Sequence, residues 1–349
     1  MSTFYPLTVS QIQTLTPNAV AITFAIGEEN RNAFQFKAGQ YITIKKEISG
    51  TELRRSYSIS SAPENMEITI GVKRVDGGGF SDFANNNLKE GDVLEVSAPE
   101  GRFIFDSSEK RDVIAFAAGS GITPIMSIAR TVLNNHPESR FVLIYGNQNR
   151  SETMFYDELQ ELQKEYTDRF IMQMVYSRSR EDDALFGRID TSVVNFALKN
   201  KFKEYEFDNY YLCGPESMIN VVRNVLDKKG ISSEKVFFEL FTSSTDEQEQ
   251  NTMIEEGKTR LTIILDDEEQ QIVMDRKQTV LDAVLKADID APYSCQGGIC
   301  STCIARISNG EAIMEKNQIL TDGEIADGFV LTCQAHPTTP ELTVDYDDV

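Results

Sequence analysis

Three successive rhythms in the sequence predict three domains: an antiparallel barrel or sandwich, then an α/β domain on a parallel sheet, then a small thiol-bearing domain. Residues 6 to 106 alternate apolar and polar positions in short runs, and from 112 onward apolar runs alternate with helical stretches. Three of the five cysteines then fall together in CQGGICSTC at 295–303. At 349 residues the chain is too long for one ordinary domain, and its 40% apolar and 9% aromatic content supports packed cores.

Composition excludes several kinds of function. A formal net charge of −21 opposes a nucleic-acid partner, whose phosphates would repel it. No apolar run is long enough for a membrane-spanning helix, so no membrane partner is expected. The opening MSTFYPLTVSQIQTLTP lacks the basic stretch and apolar stretch of a secretory signal. Five cysteines in so long a chain do not suggest a disulfide framework. A cytoplasmic location is the expectation.

In chain order, NAVAITFAI, GQYITIKKEI, RRSYSISS, MEITIGVKRV and DVLEVSAPEGRF read as strands separated by short polar turns. DVIAFAAG, RFVLIYG, RFIMQMVYS and NYYLCG follow, alternating with helical ETMFYDELQELQKEY and PESMINVVRNVLDKKG, the pattern of βα units. After KVFFELF, the stretch TSSTDEQEQNTMIEEG is polar, acidic and almost free of apolar residues, as a linker would be. The last segment opens with a hairpin, LTIILDDEEQQIVMD, and a helix near TVLDAVLKADI.

The cysteines carry the sharpest chemical signal. Cys295, Cys300 and Cys303 are spaced C-x4-C-x2-C, and Cys333 in VLTCQAHP follows after 29 residues. Four thiolates at this spacing hold the two bridged irons of a plant-type 2Fe-2S cluster. The small residues of QGGICS let the backbone wrap closely and turn N–H groups toward a negatively charged cluster. Structural zinc more often uses two short thiol knuckles, and only one such pair exists here. A Rieske centre needs two histidine ligands, and His136 and His336 lie in no such motif. The segment resembles plant-type ferredoxins over its length.

A cluster passes one electron at a time, so a two-electron donor requires a converter such as a flavin. RRSYS at 54–58 offers a guanidinium for phosphate, a ring for stacking and a hydroxyl for a ring nitrogen, although alone it is also an ordinary amphipathic strand. GVKRV at 71–75 is followed by GGGFSDFANN, where glycines ahead of a helix can bring N–H groups to a phosphate, or form a simple turn. In the second segment AAGSGITPIMSI follows a strand directly. Gly119 and Gly121 permit close approach, Thr123 is the expected helix N-cap, and Pro124 the first helical residue. CGPESM at 213–218 repeats the theme with Pro215 opening the helix; Cys213 is also readable as a buried structural thiol.

With these motifs in this order the chain resembles the ferredoxin–NADP reductase superfamily, in the oxygenase-reductase branch that carries its ferredoxin at the C-terminus. The likeness runs over essentially the whole chain. It implies a six-stranded antiparallel β-barrel for FAD at 1–108, a five-stranded parallel sheet for NADP at 109–241, a linker at 242–257 and a β-grasp ferredoxin at 258–349. By the same likeness Arg55 binds the flavin pyrophosphate beside Ser56, Tyr57 packs on the isoalloxazine ring and Ser58 reaches toward its N5. Val72 and Lys73 contact FAD through their backbone, and Gly78, Gly79, Phe80 and Ser81 wrap its pyrophosphate. Gly119, Gly121, Thr123 and Pro124 form the nucleotide loop, and Cys213, with Gly214, Pro215 and Met218, sits by the nicotinamide. Glu239 and Phe241 in FELF lie near nicotinamide and flavin, unless FELF is a plain buried strand. Ser177 and Arg178 in VYSRSRED, assisted by Arg188, suit the adenosine 2′-phosphate, so NADPH is expected over the alternative NADH.

Tyr57, Ser58, Cys213 and Glu239 are therefore the expected catalytic side chains, and Cys295, Cys300, Cys303 and Cys333 the cluster ligands. The implied activity is NAD(P)H oxidation through FAD and a 2Fe-2S cluster, with electrons passed to an oxygenase component, expected to be a di-iron one. Reduction of some other oxygenase or hydroxylase is the near alternative. A non-catalytic iron–sulfur sensor is the distant one, and it leaves the first 240 residues unexplained. From Lys258 onward, acidic runs at 266–269 and in the tail DYDD suit either a docking face or mere solubility.

Overall fold

Alternating apolar residues curl the first hundred positions into an antiparallel sheet of β1 (Phe4–Thr16), β2 (Ala19–Ala25), β3 (Tyr41–Ile48), β4 (Thr51–Ser58), β5 (Ile68–Lys73) and β6 (Val93–Ser97). The strand order is β4-β3-β6-β1-β2-β5, and its two ends meet at the Ile59–Ile70 bridge, which gives the expected six-stranded barrel. Alternate residues such as Ile42, Ile44, Ile68, Ile70, Val72, Leu94 and Val96 fill the interior. Helix α1 (Gly79–Asn86) adds Phe80 and Ala84 to that core. The computed structural model describes residues 3–48, 50–65, 67–75, 78–240, 257–265, 268–287 and 289–349. They form two compact units, divided in the stretch after Leu240.

The first unit continues with β7 (Val113–Ala118), α2 (Ile122–Asn135), β8 (Phe141–Asn147), α3 (Tyr156–Glu165), β9 (Phe170–Tyr176), β10 (Ala184–Phe186), α4 (Thr191–Phe196), β11 (Asn209–Gly214), α5 (Glu216–Lys228) and β12 (Val236–Leu240). All six strands run parallel in the order β10-β9-β8-β7-β11-β12. The sheet thus has six strands where five were expected. The extra one, β10, is three residues between EDD and Gly187, too short to register as an apolar run. Successive units step outward from β7 to β10, then the chain returns to place β11 on the other side of β7. This reversal makes the carboxyl ends of β7 and β11 the switch point at which doubly wound sheets place their ligand crevice.

Barrel and parallel sheet share one core: Ala19, Ala21, Ala38, Phe103 and Phe105 pack with Val113, Ile125, Met154, Phe155 and Tyr211. Gly71 of β5 is needed there, because a Cβ would lie 2.7 Å from Thr123 Cγ2 and 2.9 Å from Met154 Cε. Helix α3 was expected from Glu152 but starts at Tyr156. Phe155 is in the left-handed conformation (φ 59°), which breaks the helix and turns Met154 and Phe155 into the core.

The second unit contains β13 (Lys258–Leu265), β14 (Glu268–Asp275), α6 (Val280–Lys286), β15 (Ile304–Asn309), β16 (Ala312–Met314), α7 (Asp322–Ala326), β17 (Phe329–Leu331), β18 (Ala335–Pro337) and β19 (Glu341–Asp345). The expected hairpin is β13–β14, and β19 returns parallel to β13 in a sheet ordered β14-β13-β19-β15-β17, the β-grasp arrangement. Thr279 caps α6 by accepting from Asp282 N, and Val280, Leu281 and Val284 join Leu261, Ile263, Leu342 and Val344 in the core. Asp266 and Asp267, and the linker up to residue 256, lie outside the described residues. Among the described residues no helix is long and apolar enough to cross a membrane.

Candidate active site and cluster site

The crevice is built on glycines. Strand β7 runs into a tight turn, Gly119–Gly121, that passes straight into α2. Gly119 takes φ +55°. Gly121 abuts the end of β11 so closely that a Cβ would stand 2.2 Å from the Cys213 carbonyl oxygen. Because the turn is already helical, the N-cap of α2 is Gly121 and its first residue Ile122, where Thr123 and Pro124 were expected in those places. Thr123 Oγ1 instead donates to the Ser120 carbonyl at 3.0 Å, and Pro124 sits within the first turn, where a missing N–H costs nothing. Pro215 is likewise the N-cap of α5 rather than its first residue. Gly214 takes φ +154°, and its missing side chain leaves room for Met218 and Ala118. Lys73 Nζ reaches across from β5 to within 3.9 Å of the position a Gly119 Cβ would occupy.

Three expected catalytic side chains meet above this turn. Strand register puts Cys213 between Ala117 of β7 and Glu239 of β12. From the barrel, Ser58 Oγ donates to Glu239 Oε2 at 3.2 Å. Burial pushes the Glu239 carboxyl up to about 8, while the Ser58 hydroxyl pulls it down. Cys213 is fully buried, and burial, with the Glu239 charge adding, raises its thiol well above the ordinary value. It is a neutral thiol at pH 7. Tyr57, next to Ser58, lies with its ring 5.6 Å from Phe80; burial raises its phenol, against the Arg55 charge.

The two arginines of RRSYS have different fates. Arg54 is buried, pairs with Glu52 at 3.0 Å and lies over the Phe4 ring. Arg55 donates to the Arg54 carbonyl at 2.7 Å, and no carboxylate among the described residues pairs with it. Ser56 reaches Thr43 Oγ1 at 3.3 Å. Around the N-terminus of α1 the chain itself crowds Gly78 and Gly79, so that neither tolerates a side chain: a Cβ would lie 2.5 Å from Ser81 Oγ at Gly78 and 2.5 Å from Leu53 Cδ1 at Gly79. Ser81 does not face outward; its hydroxyl accepts from Val75 N at 3.1 Å and donates to Gly78 O at 3.2 Å. The side chains of Val72 and Phe80 point into the barrel core, leaving only their backbone for a ligand. A guanidinium with no carboxylate partner among the described residues, amides at a helix start and a tyrosine face fit the parts of FAD.

At the far end of the crevice, Ser177 and Arg178 follow β9. Ser177 N and Arg178 N donate to the Asn147 and Gln148 carbonyls at 3.0 and 2.8 Å, which fixes their backbone. Arg178 and Arg188 are exposed, and neither pairs with a carboxylate among the described residues. Arg180 is occupied over the Phe186 ring at 4.6 Å. Phe241 lies outside the described residues.

In the second unit the four expected thiols converge. Cys295 is in hydrogen-bond reach of Cys300 and Cys333, and Cys303 of Cys333. Cys295 and Cys303 are held low as acceptors, whereas Cys300 and Cys333 are pushed up as their donors. Four thiolates so close repel one another unless cations lie between them, and a four-thiol set fits the irons of a 2Fe-2S cluster. Gly297 N donates to Cys295 Sγ at 3.4 Å. The wrapping needs positive φ at Gln296 (54°) and Gly298 (73°). Gln334 Nε2 ties the two ligand-bearing stretches by donating to the Gln296 carbonyl at 3.1 Å. Among the described residues all five cysteines are free of disulfides.

Sequence reasoning missed Gln334, and it missed Ser127 and Arg130 on the inner face of α2. The available signal was two polar residues one turn apart inside the apolar ITPIMSIARTVL.

Known proteins match this arrangement. Family models match in order: an oxidoreductase FAD-binding domain over residues 6–105, an oxidoreductase NAD-binding domain over 116–224 and a 2Fe-2S iron-sulfur cluster binding domain over 263–338. The chain is 35% identical to a subunit of the 1,2-phenylacetyl-CoA epoxidase of Escherichia coli (strain K12), with 99% of each covered. It is 31% identical to the ferredoxin reductase component of 3-ketosteroid-9-alpha-monooxygenase from Rhodococcus rhodochrous, with 97% of this chain and 96% of that one covered. Among solved structures, phthalate dioxygenase reductase matches with a TM-score of 0.64 at 25% identity, covering 98% of both chains.

Proposed function

The chain belongs to the family of oxygenase reductase components built from FAD-binding, NAD-binding and 2Fe-2S domains, and on that footing we propose that it is a cytoplasmic NADPH-dependent reductase that supplies electrons to a di-iron phenylacetyl-CoA epoxidase. The observation that carries the catalytic part is the convergence of Ser58, Cys213 and Glu239 over the Gly119–Gly121 turn. FAD, when bound, would supply the conversion between a two-electron nicotinamide donor and a one-electron 2Fe-2S acceptor. The residues would divide the remaining work. Arg55 and the α1 amides hold the flavin pyrophosphate, and the Tyr57 ring offers a stacking face. Ser58 Oγ, bonded to Glu239, offers a path on which a proton moves between the hydroxyl and a carboxyl that is protonated below about pH 8. Cys213 closes the nicotinamide end without adding charge. The four thiolates hold the cluster.

Preference for NADPH is supported by Ser177 and by exposed Arg178 and Arg188, with fixed backbone and no carboxylate partners among the described residues. Arg178→Ala should lower kcat/KM for NADPH at least tenfold and leave that for NADH within about threefold. Equal kcat/KM for the two nucleotides, unchanged in the variant, would refute the preference. The acceptor is tested by reconstitution, in which substrate-dependent NADPH consumption should appear with a phenylacetyl-CoA epoxidase. The ketosteroid-monooxygenase relative favours a second reading, supply to a different oxygenase. Coupling to such an enzyme but not to the epoxidase would replace the first reading with it.

A further inference from the structure

Helix α2 begins at the nucleotide turn and runs back along the barrel. Most of what it presents there is apolar or small, as where Thr123 meets Gly71. At its exposed end Asn135 Nδ2 donates to Glu64 Oε1 at 2.6 Å, and two residues one turn apart make the contacts nearer the nucleotide turn. Ser127, fully buried, donates through Oγ to the Ser61 carbonyl at 2.6 Å. Arg130 donates through Nη1 to the Ser60 carbonyl at 2.8 Å, and its Nη2 pairs with Glu158 of α3. Both members of this pair are largely covered, with side chains 21% and 28% exposed. Burial lowers Arg130 and raises Glu158, each against the other's charge.

The accepting segment is rigid and close to the chemistry. It follows Ser58 directly: Ile59 N is bound to Gln40 O, Ser60 N to Thr69 O, and Ser61 Oγ to Glu67 O. A buried ion pair adds little net stability over apolar packing of the same shape, so folding energy alone does not account for it. What it adds is direction. Apolar faces tolerate a sliding helix, whereas two bonds of 2.6 and 2.8 Å to consecutive carbonyls do not.

We propose that Arg130, seconded by Ser127, is a positioning residue for hydride transfer: it locks the helix carrying the Gly119–Gly121 turn in register with the strand end carrying Tyr57 and Ser58. This rests on the nucleotide and flavin sites proposed above.

The test is anaerobic stopped-flow reduction of the FAD-loaded protein by NADPH and by NADPH deuterated at the transferred position of C4. In Arg130→Met, FAD content and NADP⁺ affinity should stay within about threefold of wild type. The saturating reduction rate should fall about 10- to 100-fold, because a misplacement near 1 Å costs on that order. The deuterium isotope effect should rise as the hydride step becomes limiting. Arg130→Lys, which keeps the charge toward Glu158 but not the fork, should fall between. A wild-type rate overturns the proposal, and so does a loss confined to NADP⁺ affinity. If Arg130→Met loses its flavin, Ser127→Ala decides: a rate lowered about threefold or more with a raised isotope effect supports the proposal, and an unchanged rate overturns it. A wild-type protein that neither nucleotide reduces would instead refute the site assignment itself.

Discussion

Gly121→Ala should disable flavin reduction while leaving the flavin bound. The backbone there is ordinary, φ −59° and ψ −6°, so alanine meets no conformational penalty. The obstacle is space. Its Cβ would stand 2.2 Å from the Cys213 carbonyl oxygen and 2.5 Å from the carbonyl carbon, so the chains must separate by about 1.2 Å to reach ordinary contact. Strand β11 cannot yield easily, because Cys213 is paired on both sides, to Ala117 and to Glu239. The turn must move instead, away from Cys213 and the Ser58–Glu239 pair. Displacement of that size in a near-attack arrangement is worth on the order of 10²-fold in rate. Gly119→Ala is the contrasting control. Its φ of +55° strains an alanine by about 1–2 kcal/mol, yet the nearest atom to the new Cβ is the flexible Lys73 Nζ at 3.9 Å. Gly119→Ala should therefore lower melting temperature more than rate. Saturating stopped-flow reduction, flavin content and thermal melts on both variants make the comparison. Gly121→Ala within threefold of wild type, or Gly119→Ala slower than Gly121→Ala, would refute the reasoning.

Two further outcomes are expected. Cys300→Ser should lose most iron and sulfide while keeping FAD and NADPH oxidation with a small dye acceptor, since the thiols and the barrel belong to separate compact units; loss of flavin in this variant would contradict that independence. Glu239, raised to about 8 from an unfolded value near 4.5, binds an extra proton in the folded state between those limits. Its stabilising contribution is complete below about pH 4.5 and is lost as pH rises through 8, so Glu239→Gln should flatten the fall in unfolding free energy across that window. Parallel pH profiles for the two proteins would show that the carboxyl is not desolvated as described.

What could be read from the sequence and what could not divide along a physical line. The convergence of Cys295, Cys300, Cys303 and Cys333 was legible because a cluster site demands one residue type at set spacings, and no packing context changes that demand. Gly121 and Gly214 were legible for a related reason, since the absence of a side chain is written in the residue itself. Even there the detail shifted. Thr123 was expected to cap α2, but the Gly119–Gly121 turn is already helical, so the cap moved back to Gly121. Strand β10 escaped because three residues carry no period, and its pairing to β9 is decided by the neighbouring strand. The left-handed Phe155 escaped because its conformation is held by the core that Met154 and Phe155 enter, not by local preference. Arg130 and Ser127 were the least legible, and for the most general reason. Their partners are backbone carbonyls 70 and 66 residues away, and a carbonyl is the same atom in every residue. A side chain that binds a cofactor leaves a mark in residue type, whereas one that binds the chain itself leaves a mark only in the fold. The contacts that set one domain against the other belong to the second kind, which is why the chemistry of this site reads from the sequence and its alignment does not.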